Sequence, residues 1–138
     1  MGKMASVMDD AHKHSVVIVE DSRDTRESLA MLLELSGHHV VSVASAVEAL
    51  ATIRAGRVRP CVIILDVIMP HMDGLAFLDD LRLISPEHAR IPVIVFTGHE
   101  GFRKAALAKG CLAALLKPAK PDEILRLVDD HCPPPVAA

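Results

Sequence analysis

Short apolar runs alternate along the chain with longer stretches in which leucine and other apolar residues recur every three or four positions. The runs are rich in valine and isoleucine and nearly continuous, which is typical of strands buried on both faces of a parallel sheet. The longer stretches have the period of amphipathic helices. We predict five strands, at residues 16–19, 40–43, 62–65, 93–96 and 112–116.

Each stretch between the runs also carries recognisable helix ends. Ser45 followed by Glu48 forms a capping box, and Gly37 stands where a helix often ends in a left-handed residue. Pro121 suits the first position of a helix, where its missing N–H is not needed. The predicted helices cover 22–36, a segment from 45 to 56, a segment from about 73 to before Pro86, an Ala-rich segment ending at Gly110, and a segment from Pro121 to before Pro133.

Five strands alternating with five helices make a βα repeat. Parallel strands require right-handed crossovers, so helices must cover both faces of the sheet. Five units are too few for an eight-stranded barrel. We therefore predict an α/β fold, a flavodoxin-like (βα)5 doubly wound sandwich with strand order 2-1-3-4-5. It would span residues 15–132, between a flexible tail at 1–14 and a short Pro-rich tail at 133–138.

Composition narrows the function classes. The 138 residues suit one domain, and with no Trp, no Tyr and three Phe its core must be aliphatic. A net charge of −3 gives no electrostatic reason for direct binding to nucleic acid or an anionic membrane, and no apolar run is long enough to span a bilayer. Cys61, Cys111 and Cys132 are odd in number and lack CxxC spacing. This argues against a disulfide framework or structural zinc and fits a reducing cytoplasm.

Polar residues follow four of the predicted strands directly. Glu20 and Asp21 follow the first strand, Asp66 the third, Thr97 the fourth and Lys117 the fifth. In an open parallel sheet, ligands bind beyond the carboxyl ends of the strands. We therefore expect these three acids, one hydroxyl and one amine to form a single cluster.

The chemistry of such a cluster favours a cation and a phosphoryl group. Carboxylates about 4–6 Å apart repel by roughly 3–4 kcal/mol per pair at an effective dielectric near 20, so the cluster should raise a pKa or recruit a cation. Hard carboxylate oxygens suit Mg²⁺ or Mn²⁺ better than zinc. Lys117 and Thr97 offer donors for phosphoryl oxygens, and a carboxylate nucleophile can form an acyl phosphate.

Four segments, Val16–Asp21, Val62–Gly74, Val93–Gly98 and Leu115–Pro118, resemble the motifs of bacterial response-regulator receiver domains. The resemblance covers about residues 15–132 and is nearest to the stand-alone, chemotaxis-regulator-like type. It implies a cytoplasmic switch that takes a phosphoryl group from a histidine kinase or a histidine phosphotransfer protein. Such a switch signals by contact with a separate output protein, as a monomer or as a phosphorylation-dependent dimer.

The resemblance also implies roles for single residues. Asp66 matches the phosphoacceptor, Thr97 the hydroxyl residue that moves toward the phosphoryl group, and Lys117 the lysine that pairs with it, usually before a cis proline. Taken singly, each of these residues is also an ordinary loop or surface residue. Their joint occurrence at one predicted sheet edge favours the functional interpretation.

The metal site follows from the same resemblance. Asp21 matches a direct ligand of Mg²⁺, and Glu20 matches an acid that binds it through water. Asp66 and the backbone carbonyl of Ile68 would complete the protein's share of the coordination. Asp73, near the start of the third helix, has the simpler interpretation of a helix N-cap.

Several positions depart from the usual pattern. Ala114 and Ala119 stand where aromatic residues are common, so the rotamer switch that reports phosphorylation in many relatives is absent. We expect the loop and helix at 98–110 to carry the signal instead, and unchanged amide exchange there would contradict this. Ile68 cannot orient a hydrolytic water, so the phosphorylated form should outlast that of Ile68→Asn. His99 either helps that water or simply faces solvent.

Three other function classes were weighed against this one. Aspartate-nucleophile phosphatases usually carry a second acid two residues after the nucleophile, where this chain has Ile68. We therefore expect no turnover beyond the domain's own phosphorylation and dephosphorylation. A flavin or nucleotide module lacks support because the chain has neither stacking Tyr or Trp nor a GxGxxG or GxxxxGK[ST] motif. A receiver-like interaction module that is never phosphorylated stays open as the alternative.

Overall fold

The structure, a computed structural model, describes residues 14–66 and 74–132, and these form five strands and six helices. The strands are β1 (His14–Val19), β2 (Val40–Val43), β3 (Arg59–Asp66), β4 (Val93–Thr97) and β5 (Ala113–Leu116). The helices are α1 (Arg23–Leu35), α2 (Ala46–Arg54), α3 (Gly74–Ile84), α4 (Pro86–Ala89), α5 (Glu100–Ala108) and α6 (Pro121–His131).

The strands form one parallel sheet in the order β2-β1-β3-β4-β5. This confirms the predicted fold class and strand order. The chain leaves β1 toward β2 on one side and later returns to place β3 on the other. The crevice at the carboxyl ends of β1 and β3 is thus the topological switch point, where ligands bind in open α/β sheets.

Two aliphatic cores lie on opposite faces of the sheet. Neighbouring strand residues point to opposite faces, so in β1 Val17 and Val19 enter one core and Val16 and Ile18 enter the other. The first core is covered by α2, α3 and α5. The second is covered by α1 and α6. Its buried members from the two helices are Leu33, Ile124 and Val128.

Helix ends follow the predicted chemistry. The Ser45 hydroxyl accepts from the Glu48 backbone N–H at 3.1 Å, and the Glu48 carboxylate accepts from the Ala44 backbone N–H at 3.3 Å. Gly37 has a φ of 94°, the left-handed conformation expected just after α1. Glycine adopts that conformation at little steric cost, so the chain can turn into β2.

The region around Pro86 differs from the prediction of a helix that stops before it. Helix α3 ends at Ile84, but Pro86 then opens the one-turn helix α4. The Ser85 hydroxyl caps α4 by accepting from the His88 backbone N–H at 3.1 Å. Proline ends one helix and is also well suited to start another, and the periodicity of a single turn is too short to detect.

The expectation about cysteines was wrong. Cys61, near the start of β3, and Cys132, just after α6, are joined by a disulfide with a Cα–Cα distance of 5.4 Å, while Cys111 is a free thiol. Cysteine count and CxxC spacing do not reveal a pair separated by 71 residues in sequence. In the part of the chain that the structure describes, no helix is both long and apolar enough to cross a membrane.

Candidate functional site

The four strand ends that carry polar residues meet at one edge of the sheet. Asp66 is the last residue of β3 and Thr97 the last of β4, while Glu20 directly follows β1 and Lys117 directly follows β5. All these strands are parallel, so their carboxyl ends lie side by side. The structure therefore brings the four residues to the edge where the sequence predicts a cluster.

Three acids at this edge are close enough to share one ion. Carboxylate oxygens of Glu20, Asp21 and Asp66 all lie within 4.8 Å of one another. Glu20 and Asp66 are only 6% and 9% exposed, whereas Asp21 faces solvent. Hard oxygen ligands that stay open to water on one side fit Mg²⁺, which usually binds one or two carboxylates and keeps several waters. The donor set thus fits a magnesium ion.

Lys117 supplies the positive charge of the cluster. Its Nζ donates a hydrogen bond to Asp66 Oδ2 at 3.1 Å and lies 3.8 Å from Glu20 Oε1. Its backbone N–H donates to the Thr97 carbonyl at 2.9 Å, which fixes where the side chain starts. The Lys117–Pro118 peptide bond is cis, as the resemblance implies. One ammonium therefore stands against three acids.

The crowding of acids is reflected in the pKa of Glu20. The pKa of Glu20 is raised from 4.5 to about 7, first by burial and then by its hydrogen bond to Asp66 and the negative charge of Asp66, while Lys117 acts in the lowering direction. Asp21 adds a smaller contribution in the raising direction. A nearby cation would favour the charged form of these carboxyls and lower such a pKa.

Thr97 is buried beside this cluster, and its hydroxyl oxygen accepts a hydrogen bond from the backbone. The residue is 1% exposed, and its Oγ1 accepts a hydrogen bond from the His99 backbone N–H at 3.1 Å. The His99 side chain is exposed and lies edge-on to the Phe102 ring at a centroid distance of 6.0 Å. A displacement of Thr97 Oγ1 would therefore act on His99, the residue that directly precedes α5.

Ala114 lies in β5, the edge strand next to β4, where it pairs with Val95 and is 8% exposed. A methyl group at this position has no rotamers, so it cannot move between an inward and an outward position. Of the two residues predicted to tune the reaction, the structure describes His99 but not Ile68. Ile68, with both its predicted roles, and Asp73 lie outside the described residues, and those predictions stay predictions.

Two features of the site were missed by sequence reasoning. Arg26 of α1 donates from Nη1 to the Glu20 carbonyl at 2.9 Å, which holds the turn after β1. A cavity of about 880 Å³ lies between α1 and α6 beside Asp66 and Lys117, with mostly apolar walls that include Ala119. The replacement of a usual aromatic by Ala119 was the available sign of that space. Nothing in the helical pattern of α1 distinguishes Arg26 from other surface arginines.

Comparison with known proteins gives one consistent family. Residues 16–129 match the model of the response regulator receiver domain. Curated relatives include the C4-dicarboxylate transport transcriptional regulatory protein DctD of Rhizobium meliloti, 36% identical over 81% of this chain and 24% of its own length. Response regulator Rre1 of Synechocystis is 38% identical over 83% of this chain and 49% of its own length. The chain thus spans a quarter to a half of these two relatives.

A smaller relative matches over most of its length. An uncharacterized 14.6 kDa protein of Leptolyngbya boryana is 36% identical over 85% of this chain and 88% of its own length. The match to that protein and the matches to the two regulators cover similar shares of this chain, so the similarity follows the domain and not a particular larger architecture.

Solved structures agree with the family. Chemotaxis response regulator CheY4 of Vibrio cholerae superposes with a TM-score of 0.75 at 29% identity, covering 86% of this chain and 98% of that one. The receiver domain of sensor histidine kinase PA1611 from Pseudomonas aeruginosa, with magnesium in its active site cleft, gives 0.76 at 26% identity, covering 86% and 97%. With the parallel sheet and the acidic edge already in place, these matches show that the chain belongs to the response-regulator receiver domain family.

Proposed function

We propose that the domain is a phosphorylation switch in which Asp66 accepts a phosphoryl group beside a divalent cation. One observation carries this proposal: Lys117 Nζ lies 3.1 Å from Asp66 Oδ2, while Glu20 and Asp21 place their carboxylates within 4.8 Å of Asp66. A nucleophilic carboxylate, a positive charge beside it and a set of hard ligands are the parts that acyl phosphate formation needs.

Asp66 acts as the nucleophile in the proposed reaction. One of its carboxylate oxygens attacks phosphorus in line with the leaving group, and the P–N bond of a phosphohistidine donor breaks as the P–O bond of the acyl phosphate forms. The imidazole of the donor keeps the electron pair of the broken bond and takes up a proton. The buried position of Asp66 at the end of a rigid strand fixes the direction of attack.

Lys117 and Thr97 then hold the transferred group. Lys117 exchanges its hydrogen bond with Asp66 for one to a phosphoryl oxygen, and the Thr97 hydroxyl donates to another. Thr97 Oγ1 accepts from the His99 backbone N–H, so a displacement of the hydroxyl toward the phosphoryl group would pull on or break that bond. This rearrangement passes to the first turn of α5. We infer that α5 reports phosphorylation, in place of an aromatic side chain at Ala114.

The cation would be held by Asp21 and Asp66 directly and by Glu20 through water, together with the Ile68 carbonyl. When bound, Mg²⁺, or Mn²⁺ in its place, neutralises charge on the acids and on the phosphoryl oxygens during transfer. The fit of the acidic cluster and the magnesium in the active site cleft of the PA1611 receiver domain support this assignment.

The partners follow from the family and the chemistry. We propose a histidine kinase or histidine phosphotransfer protein as the donor and a separate protein as the receiver of the signal, with no direct contact to nucleic acid or membrane. The domain would act in the cytoplasm, as a monomer or a phosphorylation-dependent dimer. It would catalyse only its own phosphorylation and dephosphorylation.

The test is intact-protein mass after incubation with acetyl phosphate and Mg²⁺. We expect a gain of one phosphoryl group that is absent in Asp66→Asn, absent without the metal and retained in Asp130→Asn, a matched change of an exposed acid on α6. A gain that survives Asp66→Asn would refute the assignment of the nucleophile.

A second arm separates the switch from an interaction module that is never phosphorylated. Beryllofluoride with Mg²⁺ mimics the phosphoryl group on an aspartate without needing a donor. We expect it to bind the wild type and not Asp66→Asn, with changed amide exchange at 98–110. If neither acetyl phosphate nor beryllofluoride reacts, the unphosphorylated module replaces the switch.

A further inference from the structure

The unexpected cysteine pair lies at the amino edge of the sheet, opposite the acidic cluster. Cys61 lies in the first half of β3, and Cys132 directly follows α6. Their Cα atoms are 5.4 Å apart, within the range of about 4.4–6.8 Å that a disulfide requires. The bond ties the last helix to the centre of the sheet.

A β-bulge aims Cys61 at its partner. Along β1 and β3, Ser15 pairs with Pro60 and the next residue, Val16, pairs with Val62, so the pairing skips Cys61. Under strict alternation Cys61 would share a face with Ile63, which belongs to the core under α2, α3 and α5. Because of the bulge, Cys61 packs instead with the core under α1 and α6. Bulges are known to redirect single side chains in this way.

Helical spacing brings Cys132 to the same place. Ile124, Val128 and Cys132 are each four residues apart, and all three are buried in that core. The Cys132 backbone N–H donates to the Val128 carbonyl at 2.7 Å, which continues the helical pattern to the cysteine. Two independent local features, a bulge and a helix face, therefore converge on one pair of thiols.

The helix does not depend on the bond alone. His38, whose side chain is 1% exposed, lies with Nε2 2.6 Å from Asp129 Oδ1, so α6 is also held next to Cys132 by a hydrogen bond. Ile124 and Val128 add apolar contacts that hold α6 against the sheet. Reduction should consequently loosen the end of α6 without unfolding the domain.

We propose that Cys61 and Cys132 form a reversible redox pair that locks or releases the C-terminal end of α6. Low-molecular-weight disulfides of the glutathione type are the oxidant. In the cytoplasm, where the domain is proposed to act, a disulfide is more often a redox sensor than a permanent staple.

The exchange balances in two steps. The thiolate of one cysteine attacks a sulfur of the small disulfide, which forms a mixed disulfide and expels one thiolate. The thiolate of the other cysteine then attacks the mixed disulfide at the protein sulfur, which forms the Cys61–Cys132 bond and expels the second small thiolate. Both protein thiols lose a proton, and the two expelled thiolates take up one each.

Cys61 is the point of entry because it is half-buried, whereas Cys132 is 5% exposed and is reached when the helix end opens. Cys111 is not a competitor. It lies on the other side of the sheet, packed against the core under α2, α3 and α5, and burial raises the pKa of its thiol. A higher pKa leaves less thiolate to attack a disulfide.

The first experiment counts thiols in the full chain after equilibration with oxidised or reduced glutathione, followed by acid quenching and alkylation in denaturant. Of the three cysteines, we expect one alkylated in the oxidised sample and all three in the reduced sample. Peptide mapping should link Cys61 to Cys132. Three free thiols in both samples, or a link to Cys111, would overturn the pair. One free thiol in both would overturn its reversibility.

The second experiment measures the consequence for α6. We expect the melting temperature of the oxidised protein to exceed that of the reduced protein by roughly 10 °C, with amide exchange slowing at 124–132. Cys132→Ser should remove the difference, and Cys111→Ser should keep it. Equal exchange at 124–132 in the two redox states of the wild type would show that the bond does not restrain the helix. Acetyl phosphate labelling of Asp66 is a separate readout, so failure here leaves the phosphorylation proposal standing.

Discussion

The two edges of the sheet differ in the kind of interaction that they contain. At the carboxyl edge, Glu20, Asp21 and Asp66 bring three acids together beside Lys117, and the pKa of Glu20 rises to about 7. At the amino edge, where α1 and α6 end, a disulfide joins the end of α6 to β3, and a buried hydrogen bond joins α6 to His38 in the loop after α1. The carboxyl edge concentrates like charges, whereas the amino edge joins separate chain segments by a covalent bond and a hydrogen bond. Reactive groups are thus held on a rigid scaffold whose stability comes from elsewhere.

The largest effect is expected from removing the one ammonium of the carboxyl edge. Lys117→Ala leaves Asp66 beside other acids and takes away a charge that stabilises the transferred phosphoryl group. Removal of one such preorganised group typically costs about 100-fold or more in rate, so we expect at least that loss in labelling by acetyl phosphate. Rates are measured by intact-protein mass over time.

Lys104→Ala serves as the matched control, since Lys104 is an exposed lysine on α5 outside the cluster. It should label at the wild-type rate. If Lys117→Ala labelled as fast as this control, the pairing of Lys117 with the phosphoryl group would be wrong.

Relief of the crowded acids should stabilise the protein when no metal is present. Glu20→Gln removes a carboxyl that is only 6% exposed and whose pKa is raised from 4.5 to about 7 mainly by burial. At a pH above that value, Glu20 is ionised in the folded protein, where burial makes the charged form unfavourable. In the presence of a chelator, we expect the free energy of unfolding of the variant to exceed that of the wild type by about 1–3 kcal/mol.

The dependence on pH has a definite sign. The folded protein binds the Glu20 proton more tightly than the unfolded chain does, so this group favours folding most below pH 4.5. Its contribution falls as the pH rises from 4.5 to about 7. Urea titrations in chelator should show that fall in wild type and a flatter profile in Glu20→Gln, with Glu34→Gln, an exposed acid of α1, behaving like wild type. A parallel profile in Glu20→Gln would contradict the assignment.

The carboxyl edge was largely predictable from the sequence, and the reason is local. Where an apolar strand is followed directly by an acid, a hydroxyl or an amine, the change from apolar to polar residues indicates the end of the strand. This pattern alone identified Glu20, Asp66, Thr97 and Lys117. The order of the strands was not in the pattern. It came from the frequency of one topology at this size and from the family resemblance.

The amino edge was hidden for the opposite reason. The skipped pairing at Cys61 breaks the alternation from which we infer the face of the sheet that a side chain lies on. No residue type in the sequence marks this bulge. His38 and Asp129 are 91 residues apart and look like two ordinary polar residues in a loop and on a helix. The count of three cysteines pointed away from a bond. Long-range pairs of this kind depend on how layers meet, which a single sequence does not show.

A smaller effect is expected from cutting the buried hydrogen bond of the amino edge. Asp129→Ala leaves the His38 ring, 1% exposed, without the carboxylate that contacts its Nε2. A buried polar group that loses its partner costs about 1–3 kcal/mol, and the half-exposed position of Asp129 places this loss near the lower end. Asp130→Ala is the control, an exposed neighbour on α6. Urea unfolding should separate the two variants in the reduced protein and again in the oxidised protein.

The least effect is expected from an ion pair that belongs to neither edge cluster. Lys109 Nζ lies 2.9 Å from Asp79 Oδ2, with side chains 34% and 53% exposed, and it links the end of α5 to α3. Water already solvates both charges and salt screens them, so such a pair contributes about 0–1 kcal/mol. We expect Asp79→Asn to shift the free energy of unfolding by less than about 0.5 kcal/mol, and by less still in high salt. A loss as large as that of Asp129→Ala would mean that burial is not what separates the contacts at the two edges from ordinary surface pairs.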